Sequence, residues 1–237
     1  MRILLVNDDG IESPGLALLA RAALRLGEVW AVAPAGQCSA MSHRITLHGF
    51  LDVHRAPDFP VPGVRAFSVD GTPADCVKAA LAHVLDAPPD VVFSGVNRGC
   101  NLGRDILYSG TVGAAMEALV SGVPAVAWSA QTDGGMDVAE RWLGRVADEI
   151  FSRSFAADCV WNVNFPACAP EDVRGVRWDC AVSKNPFYRG VYTPQPLADG
   201  ARLVLGGEVA RDAEPGSDIR ALLDGYIAVN RLRCMAL

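Results

Sequence analysis

Two adjacent carboxylates, Asp8 and Asp9, lie in Asn7-Asp8-Asp9-Gly10, directly after the apolar run Ile3-Leu4-Leu5-Val6 and just before Ser13-Pro14-Gly15. A continuous apolar run reads as a buried strand of a parallel sheet, and Ser13 as N-cap with Pro14 at the first helical position announces a helix. The acids therefore fall at the carboxyl end of a first strand, the edge at which open α/β sheets bind ligands. A single Asp in a glycine-containing turn reads as a turn former bonding its local backbone. Two of them at a partly buried strand end cost free energy unless a cation or donors neutralise them, so the pair points to a bound cation.

Three further segments place polar or flexible residues at predicted strand ends: Gln37-Cys38-Ser39, Gly71-Thr72-Pro73 and the Gly/Asn-rich stretch from 95 to 111. In a parallel sheet these ends share one edge. Asp8, Asp9, a hydroxyl such as Ser39 and an amide such as Asn97 form an all-oxygen set, suited to Mg2+, Mn2+ or Ca2+ rather than zinc or copper. Taken singly, Ser39 and Asn97 read as turn-stabilising side chains. Ser109-Gly110-Thr111 precedes an alanine-rich helix and offers an anion cradle of free N–H groups, hydroxyls and a positive helix end; the plainer alternative is an N-cap by Thr111. The histidines His43, His48 and His54 match no helical zinc spacing, and only His43, near Ser39, merits a test.

The elements that must position these groups alternate in the first two thirds of the chain. Residues 2–6 read as a strand, 14–26 as a helix, 29–33 as a strand, 45–47 and 64–69 as further strands, and 73–85 as a helix capped by Thr72 with Pro73 at its first position. A strand at 90–94, the glycine-rich loop, a small-residue helix from 114, a strand at 124–128 and a helix at 136–153 follow. This is a doubly wound, mostly parallel, Rossmann-like α/β pattern covering residues 1–165 as the catalytic core. Residues 166–237 change character: prolines punctuate β-like stretches at 176–182, 201–209 and 226–232, a β-rich C-terminal extension expected to act as an oligomerisation arm.

Composition narrows the partners. With 51% hydrophobic and 20% charged residues, the 237-residue chain can bury a large core, and no apolar run reaches the length of a membrane span. A cytoplasmic location is expected, with the seven scattered cysteines reduced and no C-x-x-C pair among them. A net charge of -6 and only two lysines, Lys78 and Lys184, argue against binding a nucleic-acid duplex. An anionic substrate would instead need a metal ion, helix N-termini and particular arginines.

Taken in order, N-D-D-G at 7–10, Q-x-S-x-x-S at 37–42, G-T-P-A-D-C-V at 71–77, S-G-V-N-x-G-x-N-x-G at 94–103 and Y-S-G-T-V at 108–112 resemble the stationary-phase survival protein SurE family of metal-dependent 5'/3'-nucleotidases. Asn162-Val163-Asn164-Phe165-Pro166 and Asp224-Gly225-Tyr226 are also similar. The resemblance implies that Asp8, Asp9, Ser39 and Asn97 hold one divalent ion, Mg2+ or Mn2+, and that Asn101, Ser109, Gly110 and Thr111 steady the phosphate. It further implies hydrolysis of nucleoside 5'- and 3'-monophosphates, with Asp8 or Asp9 receiving a proton, in a self-associating dimer or tetramer. The segments 185–196 and 229–232 depart from the family pattern, which leaves base preference open. Two alternatives belong beside this reading: a Mg-binding receiver-type signalling domain, which lacks its strand-end lysine here, and a phosphatase acting on a non-nucleotide such as polyphosphate. A dinucleotide-binding domain lacks G-x-G-x-x-G in the first turn.

Overall fold

The computed structural model describes residues 1–153 and 155–234. The last three residues of the 166–237 extension therefore lie outside the described residues.

The chain begins with β1 (Arg2–Val6), α1 (Pro14–Ala23), β2 (Glu28–Pro34), β3 (Val53–Arg55), β4 (Arg65–Val69), α2 (Pro73–Ala79) and β5 (Val91–Arg98). It continues through α3 (Gly110–Val120), β6 (Ala125–Ala130), α4 (Gly135–Phe151), β7 (Val160–Phe165), β8 (Val176–Arg177), β9 (Tyr188–Leu197), β10 (Gly200–Val209), α5 (Asp218–Leu223) and β11 (Ile227–Leu232). Nine strands form one sheet in the order β3-β4-β2-β1-β5-β6-β7-β11-β8. From β4 to β7 the neighbours are parallel, while β3 runs antiparallel to β4, and β11 antiparallel to β7 but parallel to β8. Two apolar layers cover the sheet. Leu16 and Leu19 of α1 with Val138 and Leu143 of α4 pack on Phe93 and Trp128; Val77 of α2 with Ala115 and Leu119 of α3 pack on Leu4, Val32 and Val92. This is the doubly wound α/β arrangement expected.

Strand order reverses between β1 and β5, because the chain winds outward through β2 and β4 and then returns to continue through β5, β6 and β7. The carboxyl ends of β1 and β5 therefore splay apart at a topological switch point, where such sheets bind ligands.

Several expected boundaries shift for identifiable reasons. Residues 45–47 are not a strand: the Thr46 N–H and hydroxyl both donate to the Asp75 carboxylate, at 2.9 and 2.8 Å, so this segment is drawn over α2 and the edge strand forms later as β3. The 73–85 helix is α-helical only to Ala79 and ends in a wider turn over Ala80–Val84. The first helix stops at Ala23 rather than 26. Of 176–182 only Val176–Arg177 forms a strand, beside β11; further on the Cys180 N–H turns to the Val229 carbonyl and Ala181 makes a lone bridge to Ser217. The C-terminal third divides between two destinations: β8 and β11 complete the central sheet, whereas β9 and β10 form a separate, fully exposed hairpin. Among the described residues no helix is long and apolar enough to cross a membrane.

Candidate metal and phosphate site

Asp8 and Asp9 leave the end of β1 in a turn clamped by Asn7. The buried Asn7 amide donates to the Gly10 carbonyl at 2.9 Å and accepts the Gly10 N–H at 3.2 Å, which fixes the two intervening acids. The Asp8 carbonyl accepts the Cys38 N–H at 2.7 Å, fastening the loop that carries Ser39 to the end of β1. On the other side of the switch point, β5 loses register with β6 between Ser94 and Asn97. Gly95 makes that close approach possible, since a Cβ there would lie 2.2 Å from the Trp128 carbonyl oxygen at a φ of +132°. The Asn97 amide donates to the Gly99 carbonyl at 2.8 Å, leaving its Oδ1 free for a ligand.

An open cleft of about 440 Å³ collects these groups: Asp8, Asp9, Ser39, Asn97, Asn101 and Ser109 all line it, joined by Gln37, Arg98, Asp105, Tyr108 and Tyr188. The four expected metal ligands thus share one cavity, and so do two of the four expected phosphate residues. Gly110 and Thr111 lie behind Asp8 instead. Helix α3 starts at Gly110, four residues before the alanine run, with Ser109 as its N-cap accepting the Val112 N–H at 3.0 Å. The Thr111 hydroxyl donates to Asp8 Oδ1 at 2.6 Å and its N–H to Oδ2 at 3.1 Å. The positive end of the helix therefore acts first on a protein carboxylate.

Burial pushes the Asp8 carboxyl up to about 6, with the Asp9 charge adding to the rise and the Thr111 hydrogen bonds opposing it. Burial also raises Asp9, against the Arg98 N–H, which donates to it at 3.2 Å, and the Arg98 charge. Two carboxylates held against their own ionisation fit a divalent cation, whose charge would favour the ionised pair. The donor atoms agree: two carboxylates, the Ser39 hydroxyl and the Asn97 amide oxygen are hard ligands without sulfur or imidazole.

Other residues hold the site from behind. Asn101 sits in a buried amide network: its N–H donates to Asn164 Oδ1 at 2.8 Å, its side chain donates to Ser129, and its carbonyl accepts from Asn162 and Asn164. Asn162 also donates to Asn230 on β11, and Asn230 to Asp218, which accepts the Gly103 N–H. Asn101 was expected at the phosphate, whereas Asn162, Asn164 and Asn230 stood in the sequence only inside noted segments, without a role. Asn7, Arg98, Asp105 and Tyr188 were missed; an Asn heading the acid turn was the one readable signal. His43 does not reach the cleft, but meets Glu117 of α3 at 2.8 Å, tying the Ser39 loop to that helix. The exposed group Asp52, His54 and Asp70, whose ligand atoms lie within 4.8 Å of one another, belongs to the β3–β4 edge and is not part of the cleft.

The doubly wound sheet, with an oxygen-rich acidic site beside a helix N-terminus at its switch point, defines an α/β enzyme built for a metal ion and an anionic ligand. Comparison with known proteins is specific: the family model described as Survival protein SurE matches residues 3–187. The chain is 41% identical to "5'-nucleotidase SurE" of Gemmatimonas aurantiaca over 98% of its length and 92% of that protein, and 40% identical to the protein of the same name from Moorella thermoacetica, covering 98% and 90%. The crystal structure of the SurE protein from Aquifex aeolicus superposes with a TM-score of 0.84 at 32% identity, covering 98% of this chain and 93% of that one. The chain belongs to the SurE family. The receiver-type alternative fails on geometry as well, since no lysine lines the cleft and Lys78 pairs with Glu117.

Proposed function

We propose that the protein is a metal-dependent phosphomonoesterase that hydrolyses nucleoside 5'- and 3'-monophosphates to nucleoside and phosphate. The observation that carries this reading is the convergence of Asp8, Asp9, Ser39 and Asn97 on one cleft whose wall also includes Asn101 and Ser109. The family's relatives named 5'-nucleotidase supply the substrate class. Asp8, Asp9, Ser39 and Asn97 would hold one divalent ion, Mg2+ or Mn2+, with Ca2+ able to occupy the same oxygen set. When bound, such an ion polarises phosphoryl oxygens and makes a water more acidic.

The remaining work falls to side chains. Ser109 keeps its hydroxyl hydrogen for the phosphate, because its oxygen is the acceptor in the N-cap. Asn101 retains one amide hydrogen beyond the one given to Ser129. Gly110 and Thr111 serve by fixing Asp8. Asp9, less buried than Asp8 and without the Thr111 bonds that occupy both Asp8 oxygens, is the acid placed to take a proton from the attacking water. The exposed β9–β10 hairpin, the part of 166–237 that stands apart from the central sheet, supports self-association as a dimer or tetramer, and the reaction is assigned to the cytoplasm.

The test is phosphate release from a panel of 5'- and 3'-nucleotides, sugar phosphates and polyphosphate, with Mg2+ or Mn2+. Chelation by EDTA and Asp8→Asn are each expected to abolish hydrolysis of the nucleotides. Activity surviving both would overturn the metal assignment; release from polyphosphate alone would overturn the substrate class.

A further inference from the structure

We infer that Tyr188 is the residue on which the nucleobase of the substrate stacks, an inference that rests on the nucleotidase reading and adds a base subsite to it. The metal and phosphate groups of the cleft are carboxylates, amides and hydroxyls, which can hold a phosphoryl group but offer no flat face on which an aromatic base could stack. Two aromatic rings line the same cavity, Tyr108 and Tyr188, and both are exposed, at 64% and 40%.

Only Tyr188 is fastened. Its hydroxyl accepts the Cys100 N–H at 3.0 Å, its own N–H donates to Asp105 at 2.8 Å, and its ring meets the fully buried Phe187 edge-on, with centroids 5.0 Å apart. Asp105 also accepts the Phe187 N–H at 2.9 Å, so both ends of the dipeptide are pinned to the loop between β5 and α3. An aromatic face held at three points yet left in contact with water is preorganised: a base that covers it gains apolar contact without first paying to order the side chain. Because every base has a π face, stacking is tolerant of base identity and scales with ring area. Purine monophosphates are therefore favoured over pyrimidine ones. Tyr188 also lies inside 185–196, the segment that departs from the family pattern.

The test compares AMP with ribose 5-phosphate, which carries the same phosphoryl and sugar groups without a base. In the native enzyme kcat/KM is higher for AMP. Tyr188→Ala is expected to raise the KM for AMP about tenfold, the factor equivalent to ~1.4 kcal/mol of stacking, and to lower the AMP to ribose 5-phosphate ratio of kcat/KM accordingly. Tyr188→Phe keeps the ring and loses the bond to Cys100, so the ratio should hold; Tyr188→Trp should hold or raise it, and supplies the comparison if the alanine variant does not fold. Calorimetric titration with adenosine should weaken by the same factor in Tyr188→Ala.

An unchanged ratio in Tyr188→Ala would overturn the proposal, as would an equal loss in Tyr188→Phe, which would place the whole role in the Cys100 contact. Native enzyme that releases phosphate from neither compound would instead overturn the nucleotidase reading. Adenosine binding would then still decide for or against Tyr188.

Discussion

Replacing Gly110 by alanine separates a helix start from a catalytic support, because the two readings demand opposite signs. Gly110 is the first residue of α3 and has an ordinary helical backbone, so on propensity alone alanine should be neutral or stabilising, by up to ~1 kcal/mol. The structure says otherwise. A Cβ at 110 would stand 2.9 Å from both Cβ and Oδ2 of Asp8 and 3.2 Å from Pro73, closer than the 3.4 Å at which ordinary contact begins. Asp8 and the first turn of α3 must separate by at least that shortfall. The 3.1 Å bond from the Thr111 N–H to Asp8 then stretches beyond hydrogen-bonding range, and the hydroxyl bond weakens with it. Losing one such bond to a charged group costs about 1.5–3 kcal/mol, against which the propensity gain offsets a part, for a net loss of about 1–2 kcal/mol. Activity should suffer more: the shift is about half of the ~1 Å displacement that can cost about 100-fold, so a loss of roughly tenfold is expected. Urea unfolding measures the first quantity and steady-state phosphate release the second. Gly110→Ala that unfolds no more easily than native protein and hydrolyses AMP within twofold of it would refute the placement of Asp8 against α3.

Three more outcomes follow from the scaffold. Asn164→Ala leaves the Asn101 N–H buried without its acceptor and is expected to lower stability by about 1–3 kcal/mol, read from urea midpoints, with kcat falling as Asn101 loosens. Thr72→Ala removes an N-cap whose hydroxyl accepts the Asp75 N–H, and should cost about 0.5–2 kcal/mol in the same assay. The His43 hydrogen bond, followed by the charge of Lys78, holds Glu117 below its ordinary 4.5 despite burial. A depressed acid contributes stability that is fully present above the unfolded value and is lost as pH falls through the folded one. The stability gap between native protein and Glu117→Gln should therefore be constant from neutral pH to about 4.5 and close below it; a gap that persists in stronger acid would remove the ion pair as its source.

What could be read from the chain and what could not divides by sequence distance. Asp8, Asp9, Ser39 and Asn97 announced a common cleft because strand ends of a parallel sheet share an edge whatever the details of loops and registers. The layering followed from apolar runs alternating with capped helices. By contrast, the partners of Asn101 come from β6, 28 residues away, and from β7, some 60 away, and the residues behind them, Asn230 and Asp218, from more than 100. No local pattern marks an amide as belonging to such a network. The same holds for β11: its Ile-Ala-Val core is an ordinary strand signal, but nothing near it says that it joins the central sheet beside β7 and not a separate arm.

The position of α3 changes how an anion cradle at 109–111 has to be understood. Free N–H groups at a helix start and a carboxylate needing donors satisfy each other, and Asp8, 5% exposed, is the anion the sequence itself provides. That arrangement serves a metal site better than direct contact with phosphate would. Were the helix end facing the substrate, Asp8 would be a buried, poorly solvated acid prone to protonation and a weak ligand. With two of its lone pairs taken by Thr111, the carboxylate is oriented and partly stabilised as an anion before any cation arrives, while each oxygen keeps a lone pair for coordination. The helix field thus acts first on the Asp8 carboxylate, while Ser109 and Asn101 are left lining the cleft wall.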